Sequence, residues 1–288
     1  MRKAAPVPED LAGALAGAVA AWPGAGAAGV VSRNGVEATA GRTERSFPWA
    51  SVTKLLVALS CLVAWEEGTV DLDDPVGPPG STLGHLLAHA SGLPFEGGQP
   101  VAPPGRRRIY SNSGIERAAE HLEARSGMHF GDYLQVGVLS PLSMNGTLFE
   151  GSPAHGASGP LVDLLALAGE LVSPTLISAT TWQVATSVAW PGLSGVLPGY
   201  GRQDPCDWGL GPEIRGHKSP HWTGARNSPS TFGHFGQSGS LLWVDPDAGV
   251  ALAGLSGENF GPWAKASWPA LSDVVVAYAT SRDRTGPA

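Results

Sequence analysis

Ser51 and Lys54 stand three residues apart in Phe47-Pro48-Trp49-Ala50-Ser51-Val52-Thr53-Lys54-Leu55-Leu56, where a loop runs into an apolar segment. Leu55, Leu56, Ala58, Leu59, Leu62 and Val63 continue that segment, and their spacing predicts a buried helix over 52–65. Residues at i and i+3 share a helical face one turn apart, so the two side chains project to the same side. Ser51 falls in the first turn, where free backbone N–H groups and the positive end of the helix dipole favour a developing oxyanion. A serine hydroxyl is a weak nucleophile until a neighbouring base takes its proton, and a desolvated lysine is one such base. An N-cap serine followed one turn later by a solvated lysine would show the same spacing.

Two later stretches carry further chemistry. Tyr110-Ser111-Asn112 follows the Pro104-Gly105 turn and sits where a loop meets a helix. His234-Phe235-Gly236-Gln237-Ser238-Gly239 opens a late strand. Serine-lysine, then tyrosine and asparagine, then an edge strand, is the order found in penicillin-recognising serine enzymes.

These motifs, with Thr82-Leu83-Gly84-His85-Leu86-Leu87-Ala88-His89-Ala90-Ser91-Gly92-Leu93 between the first two and Leu241 to Pro246 after the last, resemble the class C β-lactamase-like family. The resemblance runs in order over most of residues 25–280. That family includes β-lactamases, D-alanyl-D-alanine peptidases, esterases, amidases and acyltransferases, so the resemblance speaks to fold more than to substrate. It implies a β-lactamase/transpeptidase-like α/β fold: an antiparallel sheet flanked by helices, with an all-helical insert. It makes Ser51 the nucleophile and has Lys54 and Tyr110 share the general-base and general-acid work. Asn112 would hold Lys54 or a polar group of the substrate, and the backbone N–H groups of Ser51 and Gln237 would form the oxyanion hole. No cofactor or metal is implied. A lysine or tyrosine serves as base only if its pKa is lowered, and a buried cation nearby would do that for the tyrosine.

One departure bears on substrate. Where β-lactamases and peptidases of the family usually carry Lys-Thr-Gly, this chain has His234-Phe235-Gly236. Strand alternation would turn His234 and Gly236 towards the site and Phe235 away or into packing. Gly236 would let a substrate backbone approach, and a neutral histidine is a weaker anchor for a carboxylate than lysine. Trp49, beside Ser51, is read as lining the pocket.

Other candidates have plainer readings. His85 and His89 stand at i, i+4 without an acidic or cysteine partner for a metal, and the resemblance makes His89 a structural residue at a helix end. Arg106-Arg107-Arg108 could meet an anionic substrate but reads first as a solvated loop. Asp245 and Asp247 are turn residues, and of the ten tryptophans Trp65, Trp182, Trp243 and Trp268 read as packing.

Composition sets the frame for these elements. A chain of 288 residues can bury a sizeable core in one large or two small domains. A net charge of −7 argues against nucleic acid as the main partner. The 40 glycines and 25 prolines are not periodic, which points to many turns. Arg2, Lys3, Pro6, Pro8, Glu9 and Asp10 precede an Ala- and Gly-rich apolar stretch, 11–22. That stretch is a poor secretory signal, too short to span a bilayer, and predicts a short surface helix. Cys61 and Cys206 form no framework, and Cys61 reads as a buried thiol. The chain reads as cytoplasmic, with no membrane partner.

Asn34-Gly35 between two short apolar runs predicts a hairpin. Helical sections follow at 81–90, 113–126, 130–138 and 161–172. A short strand is expected at 207–211, strands at 231–244 and 250–256, and a closing helix at 262–279. Residues 216–230 are polar and turn-rich and read as a mobile surface loop. Strands at both ends with helices between predict a sheet domain from 1–75 and 186–288 and a helical domain from 76–185. The expected activity is that of a serine acyl hydrolase or acyltransferase acting on a small ester, thioester or amide. A β-lactamase or D-alanyl-D-alanine peptidase, and a catalytically silent binding protein of the same fold, stand as alternatives.

Overall fold

The computed structural model describes residues 10–283. The charged start from Arg2 to Glu9 lies outside the described residues. Helix α1 (Leu11–Ala20) leads into strands β1 (Gly26–Ser32) and β2 (Gly35–Gly41). Ser32 pairs with Gly35, so Arg33 and Asn34 form the loop, and Gly35 takes φ 103°, which a side chain would resist. Helix α2 (Thr53–Glu66) follows a 3₁₀ turn at Ala50–Val52. The middle of the chain supplies α3 (Leu83–Leu87), α4 (Asn112–Ser126), α5 (Phe130–Leu134) with a π-helical turn at Gln135–Leu139, α6 (Leu161–Val172) and α7 (Ala179–Thr186). Three short strands there, β3 (Phe47–Pro48), β4 (Leu148–Phe149) and β5 (Ala157–Gly159), form a small sheet ordered β3-β5-β4. A hairpin of β6 (Gly195–Leu197) and β7 (Gly201–Gln203) comes next, then β8 (Glu213–Ile214), β9 (Phe232–Phe235), β10 (Leu241–Asp245), β11 (Val250–Ser256) and α8 (Pro262–Asp283).

The two ends of the chain meet in one antiparallel sheet ordered β2-β1-β11-β10-β9-β8. Its central strands are buried on both faces, and the period of two decides which residue meets which layer. Ala28 and Val30 of β1 and Val250 and Leu252 of β11 pack with Leu11, Leu15 and Val19 of α1 and Trp268, Leu271 and Val275 of α8. Ala27 and Val31, with Ala251, Ala253 and Leu255, face the other way onto the core of α2 and α6. Helix α6 thus lies against β1 and β11, although its sequence falls within 76–185. Among the described residues, no helix is long and apolar enough to cross a membrane.

Three expectations need correction. Residues 207–211 are not a strand: Trp208 makes a single bridge to Glu213, and β8 begins there. Residues 216–230 are not a loose surface loop. Lys218, His221, Trp222, Thr223 and Asn227 are buried, and Glu213 holds the first three from within. Lys218 Nζ lies 2.6 Å from one carboxylate oxygen, His221 Nε2 lies 3.0 Å from the other, and Trp222 Nε1 donates at 2.9 Å. Arg108 is neither solvated nor free for an anion. It is 3% exposed, and its guanidinium donates to the carbonyls of Ala88, Ala189, Trp190 and Cys206. It ties together four carbonyls from three separate stretches of the chain.

Candidate active site

Ser51 sits in the 3₁₀ turn that introduces α2. The preceding residue, Ala50, takes φ 45°, a left-handed conformation that costs a non-glycine residue about 1–3 kcal/mol and is found at functional turns. Helix α2 is buried from Thr53 through Ala64, so its first lysine is enclosed on all sides. Lys54 is 0% exposed, which rules out the solvated-lysine reading of the motif. Its Nζ lies 2.7 Å from Asn112 Oδ1, 2.8 Å from the Ala154 carbonyl and 3.2 Å from Ser51 Oγ. Burial pushes its pKa down to about 7, against the opposing pull of Glu116 and Glu96. A neutral amine has two N–H donors and one lone pair. Asn112 and Ala154 take the donors, and the lone pair is left for the Ser51 hydroxyl.

Asn112 opens α4, where Ser111 is the N-cap and accepts from the Gly114 amide at 2.9 Å. Asn112 Nδ2 donates to Glu96 Oε1 at 2.9 Å, which turns Oδ1 towards Lys54. Of the two tasks expected of Asn112, the structure therefore shows the contact to Lys54. Burial raises the Tyr110 phenol well above its ordinary value, against the opposing pull of the Ser51 hydroxyl. Lys54 Nζ lies 4.9 Å from the Tyr110 ring centroid, yet the cation does not bring the phenol down. The Tyr110 phenol therefore stays protonated at neutral pH, whereas Lys54, with a pKa of about 7, is partly neutral there.

Strand β9 and the turn after it form the opposite wall. His234 is buried, and its Nδ1–H donates to the Phe235 carbonyl at 2.8 Å. Burial, and then Lys54, push its pKa down to about 3, so the imidazole is neutral. Its Nε2 is buried without a protein partner. Phe235 packs against Phe260, Trp222 and Trp268, and its edge also reaches the cavity. Gln237 lines the same cavity as Ser51. Among the described residues, neither the Ser51 nor the Gln237 amide donates to a backbone acceptor, which leaves both N–H groups for an oxyanion.

Two expected substrate contacts are corrected. A Cβ on Gly236 would lie 2.4 Å from Ser240 Oγ and 2.5 Å from the Trp49 carbonyl. The glycine therefore lets the β9 turn close on the chain just before Ser51, and the close approach is to protein backbone. Trp49 does not line the pocket. It is 0% exposed, and its Nε1 donates to the Gly159 carbonyl at 3.2 Å, which anchors the nucleophile turn on β5. Ser240 Oγ adds a bond to the Trp49 carbonyl at 2.6 Å.

The cavity at Ser51 has a volume of about 110 Å³. Ser51, Tyr110, Glu213, His234 and Gln237 form its polar side, and Phe95, Leu197 and Trp208 belong to its apolar side. A wider groove of about 650 Å³ lies away from it, beside the β1–β2 hairpin. Sequence reasoning missed Glu96, Ala154, Phe95, Leu197 and Trp208, since no motif marks a carboxylate that acts through Asn112, a backbone carbonyl or a pocket wall. His85 and His89 do not face a common ion: His85 pairs with Thr82 in a capping box, and His89 is turned towards Tyr110.

The beta-lactamase family model matches residues 12–277. The chain belongs to the beta-lactamase family. A β-lactamase from Mycobacterium bovis has the same fold, with a TM-score of 0.90, 53% identity and coverage of 92% of this chain and 98% of that one. Unliganded simvastatin synthase LovD from Aspergillus terreus aligns with a TM-score of 0.76 at 17% identity, over 95% of this chain and 98% of that one, a likeness of fold. Among curated relatives, penicillin-binding protein 4* of Bacillus subtilis is 29% identical over 139 residues, 37% of this chain and 31% of that protein. The D-alanyl-D-alanine-carboxypeptidase/endopeptidase AmpH of Escherichia coli is 30% identical over 141 residues, 36% of this chain and 37% of that protein. The matched stretches thus span about a third of each curated relative.

Proposed function

We propose that this member of the family is a serine acyl hydrolase or acyltransferase that acts through a Ser51 acyl-enzyme on small neutral esters, thioesters or activated amides. The observation that carries this reading is the buried Lys54, whose Nζ lies 3.2 Å from Ser51 Oγ and whose pKa burial lowers to about 7, so that its neutral form can take the Ser51 proton. Ser51 Oγ attacks the acyl carbonyl while Lys54 Nζ takes its proton. The amides of Ser51 and Gln237 receive the oxyanion. Tyr110 gives its phenolic proton to the leaving oxygen or nitrogen, and the Lys54 ammonium then returns a proton to Tyr110. Water or another hydroxyl compound enters by the reverse route and releases the acyl group.

The substrate preference rests on His234. Among the described residues, no lysine or arginine lines the cavity, and its histidine is neutral. Loss of a charge-assisted bond to a substrate carboxylate costs about 1.5–3 kcal/mol, about 10–150-fold in affinity. Neutral acyl groups lose nothing there. A β-lactamase is the second reading, favoured by the 53% identity to the M. bovis protein of that name. The test compares kcat/KM for a p-nitrophenyl ester of a short acid with that for a chromogenic cephalosporin. The ester should be the better substrate; higher efficiency on the cephalosporin would replace this reading with the second one.

A further inference from the structure

His89 takes no part in the scheme above, yet it is built into the support of Tyr110. It is 1% exposed and follows α3, where it adopts φ 54°. Glycine would take that backbone conformation without strain, so the imidazole is kept in spite of the backbone. In this conformation one residue reaches the chain on both sides of Tyr110. The His89 carbonyl accepts from the Ile109 amide at 2.9 Å, and His89 Nδ1 accepts from the Ser111 amide at 3.2 Å. The His89 ring also packs on the Tyr110 ring, with centroids 4.7 Å apart. Behind it stands Trp208, 5.0 Å from His89 and 5.9 Å from Tyr110.

An imidazole that accepts at Nδ1 must be neutral or it loses that bond. Burial, with Lys54 nearby, pushes the His89 pKa well below its ordinary value and keeps it in that state. We propose that His89 is a positioning residue for Tyr110: it brackets the 109–111 backbone and stacks on the phenol, and so aims the Tyr110 hydroxyl at the leaving group. This inference rests on the proton-donor role proposed for Tyr110. An acid held out of line by about 1 Å loses on the order of 10²-fold in rate. The loss should appear only where the leaving group needs a proton.

The experiment uses two esters of one short acid, a p-nitrophenyl ester and a simple alkyl ester. p-Nitrophenolate leaves without a proton, whereas an alkoxide does not. Tyr110→Phe should lower kcat/KM on the alkyl ester far more than on the p-nitrophenyl ester. If it lowers both equally, the proton-donor reading itself fails. His89→Gly relieves the left-handed strain and removes the imidazole. It should lower kcat/KM by about 10–100-fold on the alkyl ester and by less than about threefold on the p-nitrophenyl ester. His89→Asn tolerates the same backbone and keeps a side-chain acceptor, so it should recover part of the loss. The double variant of Tyr110→Phe and His89→Gly should be little worse than Tyr110→Phe alone. Equal losses on both esters in His89→Gly, or in His89→Asn should the glycine variant not fold, would overturn the proposal. So would no loss at all while Tyr110→Phe remains selective.

Discussion

Lys54 Nζ donates to Asn112 Oδ1 at 2.7 Å, a bond between two buried side chains 58 positions apart. It joins the first turn of α2 to the first turn of α4 and puts the base under the control of both. Asn112 can only accept at that oxygen, because its amide nitrogen is committed to Glu96. The pair therefore fixes the direction of the lysine lone pair, which is what the Ser51 hydroxyl requires.

The nucleophile can be identified by labelling. A fluorophosphonate should add one adduct to the protein, and peptide mapping should place it on Ser51. Ser51→Ala should abolish both adduct and esterase activity. Ser111 and Ser238 are the rival serines, and both are engaged: Ser111 Oγ donates to the Pro94 carbonyl and Ser238 Oγ to the Pro48 carbonyl. An adduct that survives in Ser51→Ala, or maps to either rival, refutes the assignment.

The pH profile should show one acid limb. Only neutral Lys54 can take the Ser51 proton, and its pKa lies at about 7. The kcat/KM for a neutral ester should therefore rise with pH up to about 7 and level off above it. Below that value it should fall about tenfold per pH unit. Glu116 stabilises the ammonium, so Glu116→Gln should move the limb to lower pH. A limb that stays in place, or moves to higher pH, would contradict this electrostatic account.

Lys54 and Tyr110 should behave as one proton-transfer unit around Ser51. Lys54→Met and Tyr110→Phe should each lower the rate on a poorly activated ester by about 10²–10⁴-fold. The double variant should be close to the worse single variant. Losses that multiply would assign the two residues independent roles.

Glu213 should be a stability determinant with an acid signature. Burial acts to raise its carboxyl, but His221 and Lys218 outweigh it and hold the pKa down at about 2. A depressed carboxyl contributes stability above its unfolded pKa of about 4.3 and loses it as pH falls through the folded value. Glu213→Gln leaves Lys218 buried without its counter-ion, at a cost of about 3–5 kcal/mol at neutral pH. In denaturant unfolding, the gap between native protein and variant should narrow as pH drops from about 4.3 towards 2. A gap that is constant over that range would show that the pair contributes nothing to the pH dependence.

The features legible in the sequence were those with a short period or a short range. Ser51 and Lys54 share a face because i and i+3 do so in any helical turn. Asn34-Gly35, the run at 250–256 and the apolar segment after Ser51 each announced their element locally, whereas the run at 231–244 folds back on itself as two antiparallel strands, β9 and β10. Motif order was enough for the family, and the matched span of 12–277 bears that out. What long-range packing decided could not be read this way. Burial brings Lys54 to a pKa of about 7, and the partners its Nζ finds inside, Asn112 and Ala154, lie far along the chain. Gly236 and Trp49 looked like pocket residues because a small residue and an aromatic beside a nucleophile fit that role. Their neighbours in space turned out to be each other and β5. Residues 216–230 looked loose because polar side chains suit solvent, and the buried carboxylates of Glu213 and Asp245 supply interior reasons for them to fold inward. Local sequence dictates which backbone shape is cheap, but desolvation and charge pairing belong to the surroundings a residue meets after folding, and those set the chemistry of Lys54, Tyr110 and His234.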